Sequence, residues 1–272
     1  MATSDRYDMA EASLKSFTRS RVRTKTLLSL REGPKSTSDL EKELGIRNTT
    51  ILHAIKEMAG SNLVAKDGKG YGLTNVGKIQ AYRLDDMIDF VFALEEHRDF
   101  WQTHDISGIP TDLLKRISML AHSEIIASDS FDPLKTQNYF LKEIIKSKQI
   151  FGVSPIIMPN FAMLIATLVE KGSDVNLILT ANVLRIVYRD YSHLLRELQN
   201  YDNFNLYSID EVVTTAFTVT DTILNFGLFR IDGGYDLGSD LICRGDEAIK
   251  WGMELFRFYL EKSILIEGDP RI

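Results

Sequence analysis

The strongest constraint on this chain is the punctuation of residues 21–74, where three short helical patterns are cut by glycine and proline and then give way to two short strand-like runs. Residues 21–31 carry Val22, Leu27, Leu28 and Leu30, and Gly33-Pro34 ends that helix, because proline cannot continue the hydrogen-bond ladder. Ser36, Thr37 or Ser38 can cap a second helix with Leu40 and Leu44 one turn apart, and Gly45 supplies a tight turn. A third helix is expected over residues 48–59, with Asn48 as candidate cap. Its Ile51, Leu52, Ile55 and Met58 recur at the spacing of one buried face. The opposite face shows Thr49, Thr50, His53 and Lys56. Residues 63–66 and 71–74 flank Asp67-Gly68-Lys69-Gly70, whose glycines permit the positive φ of a hairpin turn.

This order of elements is that of a winged helix-turn-helix, an α+β head whose third helix would enter a major groove. Arg47, Asn48, Thr49, Thr50, His53, Lys56, Lys66 and Lys69 are the candidate DNA-binding residues. Thr49, Thr50, His53 and Arg47 would face base edges, while the wing lysines would meet phosphate. Charge points to the same end of the chain. Residues 1–83 hold 15 Lys+Arg against 9 Asp+Glu, and residues 84–272 hold 17 against 29, so a net charge of −6 conceals a basic head on an acidic body. Helix-turn-helix patterns also occur in modules that bind only protein, and a head of that kind is one alternative.

Residues 77–97 contain almost no helix breaker. Leu84, Met87, Val91 and Leu94 follow a 3-4 spacing and form a candidate dimerisation seam; a helix buried in the second domain is the plainer reading. From residue 149 onward, strand-like runs alternate with helical ones: 150–153, 174–180 and 204–209 as strands, 160–171 and 181–199 as helices. A strand pair follows over 214–219 and 223–229, and a helix over 246–262 closes the pattern. Such alternation predicts an α/β layer with partly parallel strands. The expected organisation is a tail (1–20), the head (21–76), a linker or dimerisation helix (77–98) and an α/β effector-sensing domain (99–272).

In open α/β sheets, ligands favour the carboxyl ends of strands. Ser154, Thr180, Thr220 and Asp221 fall at such ends, and Trp101, His104 and Asp105 lie in the segment densest in functional side chains. These seven are the candidate ligand-binding residues, suited to a small polar or anionic effector; ordinary capping and turn formation would equally account for Ser, Thr and Asp there. Phosphate-loop, dinucleotide, zinc-protease and serine-elbow signatures are missing from the sequence. Cys243 is the single cysteine, the five histidines are scattered, and His97, His104 and Asp105 offer only a weak metal arrangement. Neither catalysis, nor a metal, nor a cofactor is expected. No stretch approaches the roughly 18 apolar residues of a spanning helix, and residues 1–11 lack a signal-peptide core, so a cytoplasmic protein is expected.

Several segments resemble winged-helix transcriptional regulators of methanogenic archaea that carry a methanogenesis-regulator type sensor domain. They are Leu30-Arg31-Glu32-Gly33-Pro34, the F-W-x-x-H-D-x-x-G-I-P stretch from Phe100 to Pro110, Gly152-Val153-Ser154-Pro155, Phe217-Thr218-Val219-Thr220-Asp221 and Ala248-Ile249-Lys250-Trp251-Gly252. The resemblance implies transcriptional control in an archaeon through double-stranded DNA. It also implies a sensor domain similar to phospholipase-D-like folds that have lost catalysis. That enzyme family uses an H-x-K motif, and no histidine here is followed by lysine two residues later. A dithiol switch within one chain, as in some related redox-responsive regulators, is ruled out by the single cysteine. The expected protein is a homodimeric regulator controlled by a small ligand in its C-terminal domain. The alternatives are a phospholipase-D-like enzyme with a DNA-targeting head and a protein-binding winged-helix module.

Overall fold

The structure, a computed structural model, describes residues 3–158 and 160–267 and separates into two compact units, residues 1–89 and 90–272. The first unit begins with α1 (Thr3–Thr18), so the segment expected as a tail is helical. Then come α2 (Arg21–Ser29), closed by one 3-10 turn at Leu30–Glu32, α3 (Thr37–Leu44) and α4 (Asn48–Gly60). Ser36 caps α3 in a reciprocal capping box with Asp39, and Gly45 ends it in the left-handed region at φ 64°. The cap position of α4 is Arg47; Asn48 is already helical, and its side-chain amide instead donates to the Thr37 hydroxyl at 3.1 Å.

Strands β1 (Val64–Asp67) and β2 (Gly70–Leu73) pair antiparallel as the wing. The wing is anchored to the loop before α3 by a reciprocal backbone pair between Lys35 and Tyr71. Leu27, Leu30, Leu40, Ile51, Ile55 and Met58 fill the core of this unit. Helix α5 (Asn75–Glu95) starts beside the wing, where Gly77 lies so close to the Leu63 carbonyl that any Cβ would overlap it. The unit boundary at residue 89 falls within α5. Counted at that boundary, the charge contrast is 15 Lys+Arg against 12 Asp+Glu, then 17 against 26, softer than the sequence division suggested but of the same sign.

The second unit contains α6 (Arg98–Thr103), α7 (Thr111–Leu114), β3 (Ser123–Ala127), α8 (Lys135–Ile144), β4 (Gln149–Ser154), α9 (Phe161–Glu170), β5 (Asp174–Thr180) and α10 (Ala181–Leu198). It continues with β6 (Phe204–Ile209), β7 (Thr215–Thr220), β8 (Ile223–Leu228), β9 (Ser239–Arg244), α11 (Asp246–Leu260) and β10 (Ile264–Leu265). The strands form one mixed sheet in the order β10-β6-β5-β4-β7-β8-β9-β3. Only β4, β5 and β6 run parallel; β7, β8, β9 and β3 continue antiparallel from β4. The sequence reading omitted β3, α8, β9 and β10.

Strand residues alternate between two covered faces. On one face Val153, Ile178, Phe217, Val219, Leu224 and Phe226 pack against Trp251, Leu255 and Phe256 of α11. The other face carries Ile150, Val175, Leu177, Leu179 and Leu206, packed with residues of α8, α9 and α10. Beyond β4, that second face changes character. Beside β4 it carries Gly152, Ala216, Thr218, Asn225 and Asp240, small or polar, while the large buried Ile223 and Ile242 lie toward the other end of β8 and β9.

Candidate nucleic-acid interface and ligand cavity

In the first unit, the buried face of α4 consists of Ile51, Ala54, Ile55 and Met58, which turns Thr49, Thr50, His53 and Lys56 to solvent. Arg47, Lys66 and Lys69 are also exposed, and Asn48 is half-buried. Among the described residues, no acidic side chain lies within ion-pair distance of Arg47, Lys56, Lys66 or Lys69. Some other cations of the unit are paired within it. Lys35 bridges Glu32 and Glu43 at 2.7 and 2.8 Å, and Arg31 pairs with Asp85. His53 lies 3.5 Å from Glu57, one turn along the same helix.

The four residues of the candidate dimerisation seam differ in setting. Leu84 is 3% exposed and belongs to the core of the first unit, so it is not presented to a second copy. Met87 and Val91 are exposed and Leu94 is half-buried. The α5 residues Val76, Ile79, Phe90 and Phe92 are exposed as well. The sequence spacing missed this arrangement because burial within the head takes one residue out of the repeat.

In the second unit, the seven candidate ligand residues do not converge. Strand β7 is antiparallel to β4, and Thr220 pairs with Ile150, so Thr220 and Asp221 lie at the opposite end of the sheet from Ser154 and Thr180. The Thr220 hydroxyl accepts from the Thr222 and Ile223 amides as a turn former, and Asp221 accepts from the Lys148 amide, which ties that turn to the residue before β4. Thr180 precedes the first turn of α10. The Trp101 indole donates to the Ala93 carbonyl at 2.7 Å, and Asp105 accepts from the Ser107 amide. His104 and Asp105 do not meet. The His104 ring instead lies 2.7 Å from the Phe100 carbonyl through Nδ1 and 3.1 Å from Asp236 through Nε2. His97 faces the Ser123 carbonyl, so His97, His104 and Asp105 have three separate sets of partners and do not form the metal arrangement considered from sequence.

The small and polar stretch of the sheet roofs a cavity of about 350 Å³, large enough for a small organic ligand. Of the seven candidates only Ser154 lines it, and the Ser154 hydroxyl donates to the Ile156 carbonyl. Its apolar walls include Phe140, Val153, Phe161, Leu177 and Leu179, and a smaller apolar recess continues past Phe161 toward Ile165 and Leu206. The polar end is built from Thr218, Asn225, Tyr235, Asp236 and Asp240. Asn225 donates to Asp240 Oδ2 at 3.0 Å. Asp236 accepts from the Ser239 hydroxyl and the Gly238 amide at 2.7 and 2.9 Å. Gly227 leaves room for this cluster, since a Cβ there would collide with the Tyr235 hydroxyl and lie 2.7 Å from Asp240 Oδ1.

Burial, and then the neighbouring Asp236 charge, push the Asp240 carboxyl up to about 7. Burial alone would raise Asp236 too, but Ser239, the Gly238 amide and His104 outweigh it and hold that carboxyl below its usual range. Burial followed by the two carboxylates raises Tyr235 well above its ordinary value. Cys243, fully buried on the α11 face, is also raised by burial and is no reactive thiol. Sequence reasoning missed Thr218 and Asn225 because they alternate with large apolar neighbours, as in Leu224-Asn225-Phe226, which normally marks a solvent-facing row, and missed Tyr235 and Asp236 because they lie in a loop. The signal was Asp240, placed directly before Leu241-Ile242-Cys243.

Comparison with known proteins assigns the class. Residues 11–92 match the N-terminal domain, and residues 133–262 the middle domain, of the methanogenesis regulatory protein FilR1 family. The chain belongs to that family of archaeal regulators. It is 36% identical over 270 residues to the methanogenesis regulatory protein FilR1 of Methanothrix harundinacea (strain 6Ac), an alignment covering 97% of this chain and 60% of that protein. The chain therefore spans about three fifths of the length of its curated relative. Among solved structures, the archaeal chromatin protein TrmBL2 aligns at 14% identity and a TM-score of 0.43, over 97% of this chain and 100% of that one. The phospholipase D family member Nuc of Salmonella typhimurium aligns at 11% identity and 0.39, over 54% and 99%. Among the described residues, no helix is long and apolar enough to cross a membrane.

Proposed function

We propose that this chain is a cytoplasmic, sequence-specific DNA-binding transcriptional regulator, working as a homodimer under the control of a small ligand bound in its second unit. The observation that carries this reading is the exposed Thr49, Thr50, His53 and Lys56 face of α4 beside a wing whose lysines have no acidic partner among the described residues. Unpaired cations are free to displace counterions from a phosphate backbone, whereas paired ones such as Lys35 are not. Arg47 and Asn48 at the start of α4 complete the contact set, because residues near the N-terminus of a recognition helix reach base edges. The exposed apolar residues of α5, Met87 and Val91 among them, supply the dimer contact.

In this reading the domains remain as expected from sequence, with the head over 21–76, the α5 segment as linker and residues 99–272 as the sensing domain. The second unit is a phospholipase-D-like fold without catalysis. Its missing H-x-K motif supports that. Ligand enters the cavity of the second unit rather than the dispersed strand ends.

Selection of bound genomic fragments at two salt concentrations tests the function. The expected result is a palindrome whose half-sites lie about one helical turn, 10–10.5 base pairs, apart. Undiminished DNA retention after joint replacement of Arg47, Lys56, Lys66 and Lys69 by Ala would overturn the DNA-binding reading in favour of a protein-binding head.

A further inference from the structure

The cavity under the sheet combines five properties that bear on what it holds. Its body is apolar, and its closed end carries two carboxylates. Among the described residues no Lys, Arg or His lines it. Thr218 is 92% buried, and its hydroxyl has no hydrogen-bond partner among the described residues, although it lines the cavity. Facing the cavity, that hydroxyl is open to a hydrogen-bonding group of a ligand. At the mouth, Leu134, Ile157 and Leu237 also line the cavity while remaining 56%, 39% and 68% exposed. Apolar side chains left wet around an opening mark a place where apolar ligand surface can be covered.

The sign of the charge argues against the anionic effector suggested by the sequence. An anion placed beside Asp236 and Asp240 would meet like charge, with no cation lining the cavity to receive it, in surroundings of reduced dielectric. A cationic head at the same point would find two carboxylates and the Thr218 hydroxyl as acceptors. His104 and Arg230, at 3.1 and 3.8 Å from Asp236, approach that carboxylate without lining the cavity. We propose that the cavity binds an amphipathic organic amine, with its ammonium group set among Thr218, Asp236 and Asp240 and its apolar chain laid along Leu177, Leu179 and Phe161. A cation beside the raised Asp240 carboxyl favours its ionised form, so amine binding releases a proton and strengthens as pH rises through about 7.

This inference rests on the regulator reading only in taking the ligand as an effector; binding itself is independent of it. The test uses the full chain and compares hexylamine, octylamine, hexanol and hexanoate by thermal shift and calorimetric titration. The amines are expected to raise the melting temperature and bind, octylamine more tightly than hexylamine, with hexanol weaker and hexanoate without effect. Asp240→Asn should weaken amine binding at least about tenfold while leaving hexanol unchanged. Ala216→Leu, which extends an apolar side chain into the cavity without removing a contact, should abolish binding of amine and alcohol alike. Hexanoate binding as tightly as hexylamine would overturn the proposal, as would absence of binding by both amines or amine binding indifferent to Ala216→Leu. Amine binding with no change in DNA affinity would keep the site and reject the effector role.

Discussion

The two units place their polar chemistry in opposite ways. In the head, aliphatic side chains fill the core, and the working surface is what remains outside: Thr49, Thr50, His53 and Lys56 on α4, and Lys66 and Lys69 on the wing. In the second unit the chemistry lies inside. One face of the sheet is closed by aromatic packing on α11, whereas on the other a small and polar patch of Gly152, Ala216, Thr218, Asn225 and Asp240 interrupts the aliphatics and lines a cavity. A surface that reads a polymer must be exposed and can be altered without unfolding. A surface that encloses a small ligand is bought with packing, so stability and function are coupled there.

The largest expected effects separate filled from hollow parts of the second unit. Trp251 is fully buried against Phe226 at a ring separation of 5.6 Å, so Trp251→Ala should cost about 3–5 kcal/mol in denaturant unfolding. Leu237→Ala, at the rim of the cavity, should stay within about 0.5 kcal/mol. Equal losses at both sites would mean that the cavity is collapsed in solution.

Along α5 a similar contrast is expected. Leu84→Ala should destabilise the head by about 2–5 kcal/mol, because Leu84 lies in its core. Met87→Ala should leave stability nearly unchanged and weaken self-association in sedimentation velocity. A Met87 variant with unaltered self-association would remove that residue from the dimer contact.

Asp240 provides a pH test with a definite sign. Its carboxyl sits at about 7 in the fold against an ordinary 3.8, so folding favours the protonated form. That contribution is present at acid pH, is lost as pH rises through this interval, and stays lost above it. Asp240→Asn, which cannot ionise, should therefore gain in melting temperature over the native chain as pH rises from 4 to 8. The groups facing Asp240 are Asp236, Tyr235 and Asn225, with His104 behind Asp236, and Asn225 keeps a partner in the variant. A constant difference across that range would show Asp240 ionised throughout.

The smallest effects belong to the head. Each of Lys56→Ala, Lys66→Ala and Lys69→Ala should lower the slope of log affinity against log salt by about 0.9 and leave the melting temperature within error. Loss of affinity without a change in slope would remove that lysine from the phosphate contacts.

The head was legible because its signals are local. Gly33-Pro34, the Ser36 cap and Gly45 act within a few residues of where they stand, and the periodicity of α4 already separates its two faces. Asn48 was misplaced by one position, since the sequence shows a good capping residue but not that Arg47 occupies the cap and Asn48 reaches Thr37. In the second unit, β4, β5 and β6 were recognisable, yet the site was not. Ser154 and Thr220 look alike as residues ending apolar strands, and only the antiparallel course of β7 puts them at opposite ends of the sheet.

By itself, the sequence determined the winged head, its exposed polar helix face, the basic-to-acidic contrast and the lack of a recognisable catalytic motif, all of which depend on residue type and short-range spacing. Tertiary structure decided which polar residues meet. Asp236 and Asp240 are joined to His104, Thr218 and Asn225 by a β7-β8-β9 meander and a loop that bring together residues up to 132 positions apart. Strand alternation shows which residues share a face, but not whether a second helical layer covers that face or leaves it open. Placement of α8 beside β3 and of α9 beside β5, on either side of the strands between them, made that choice, and with it the cavity.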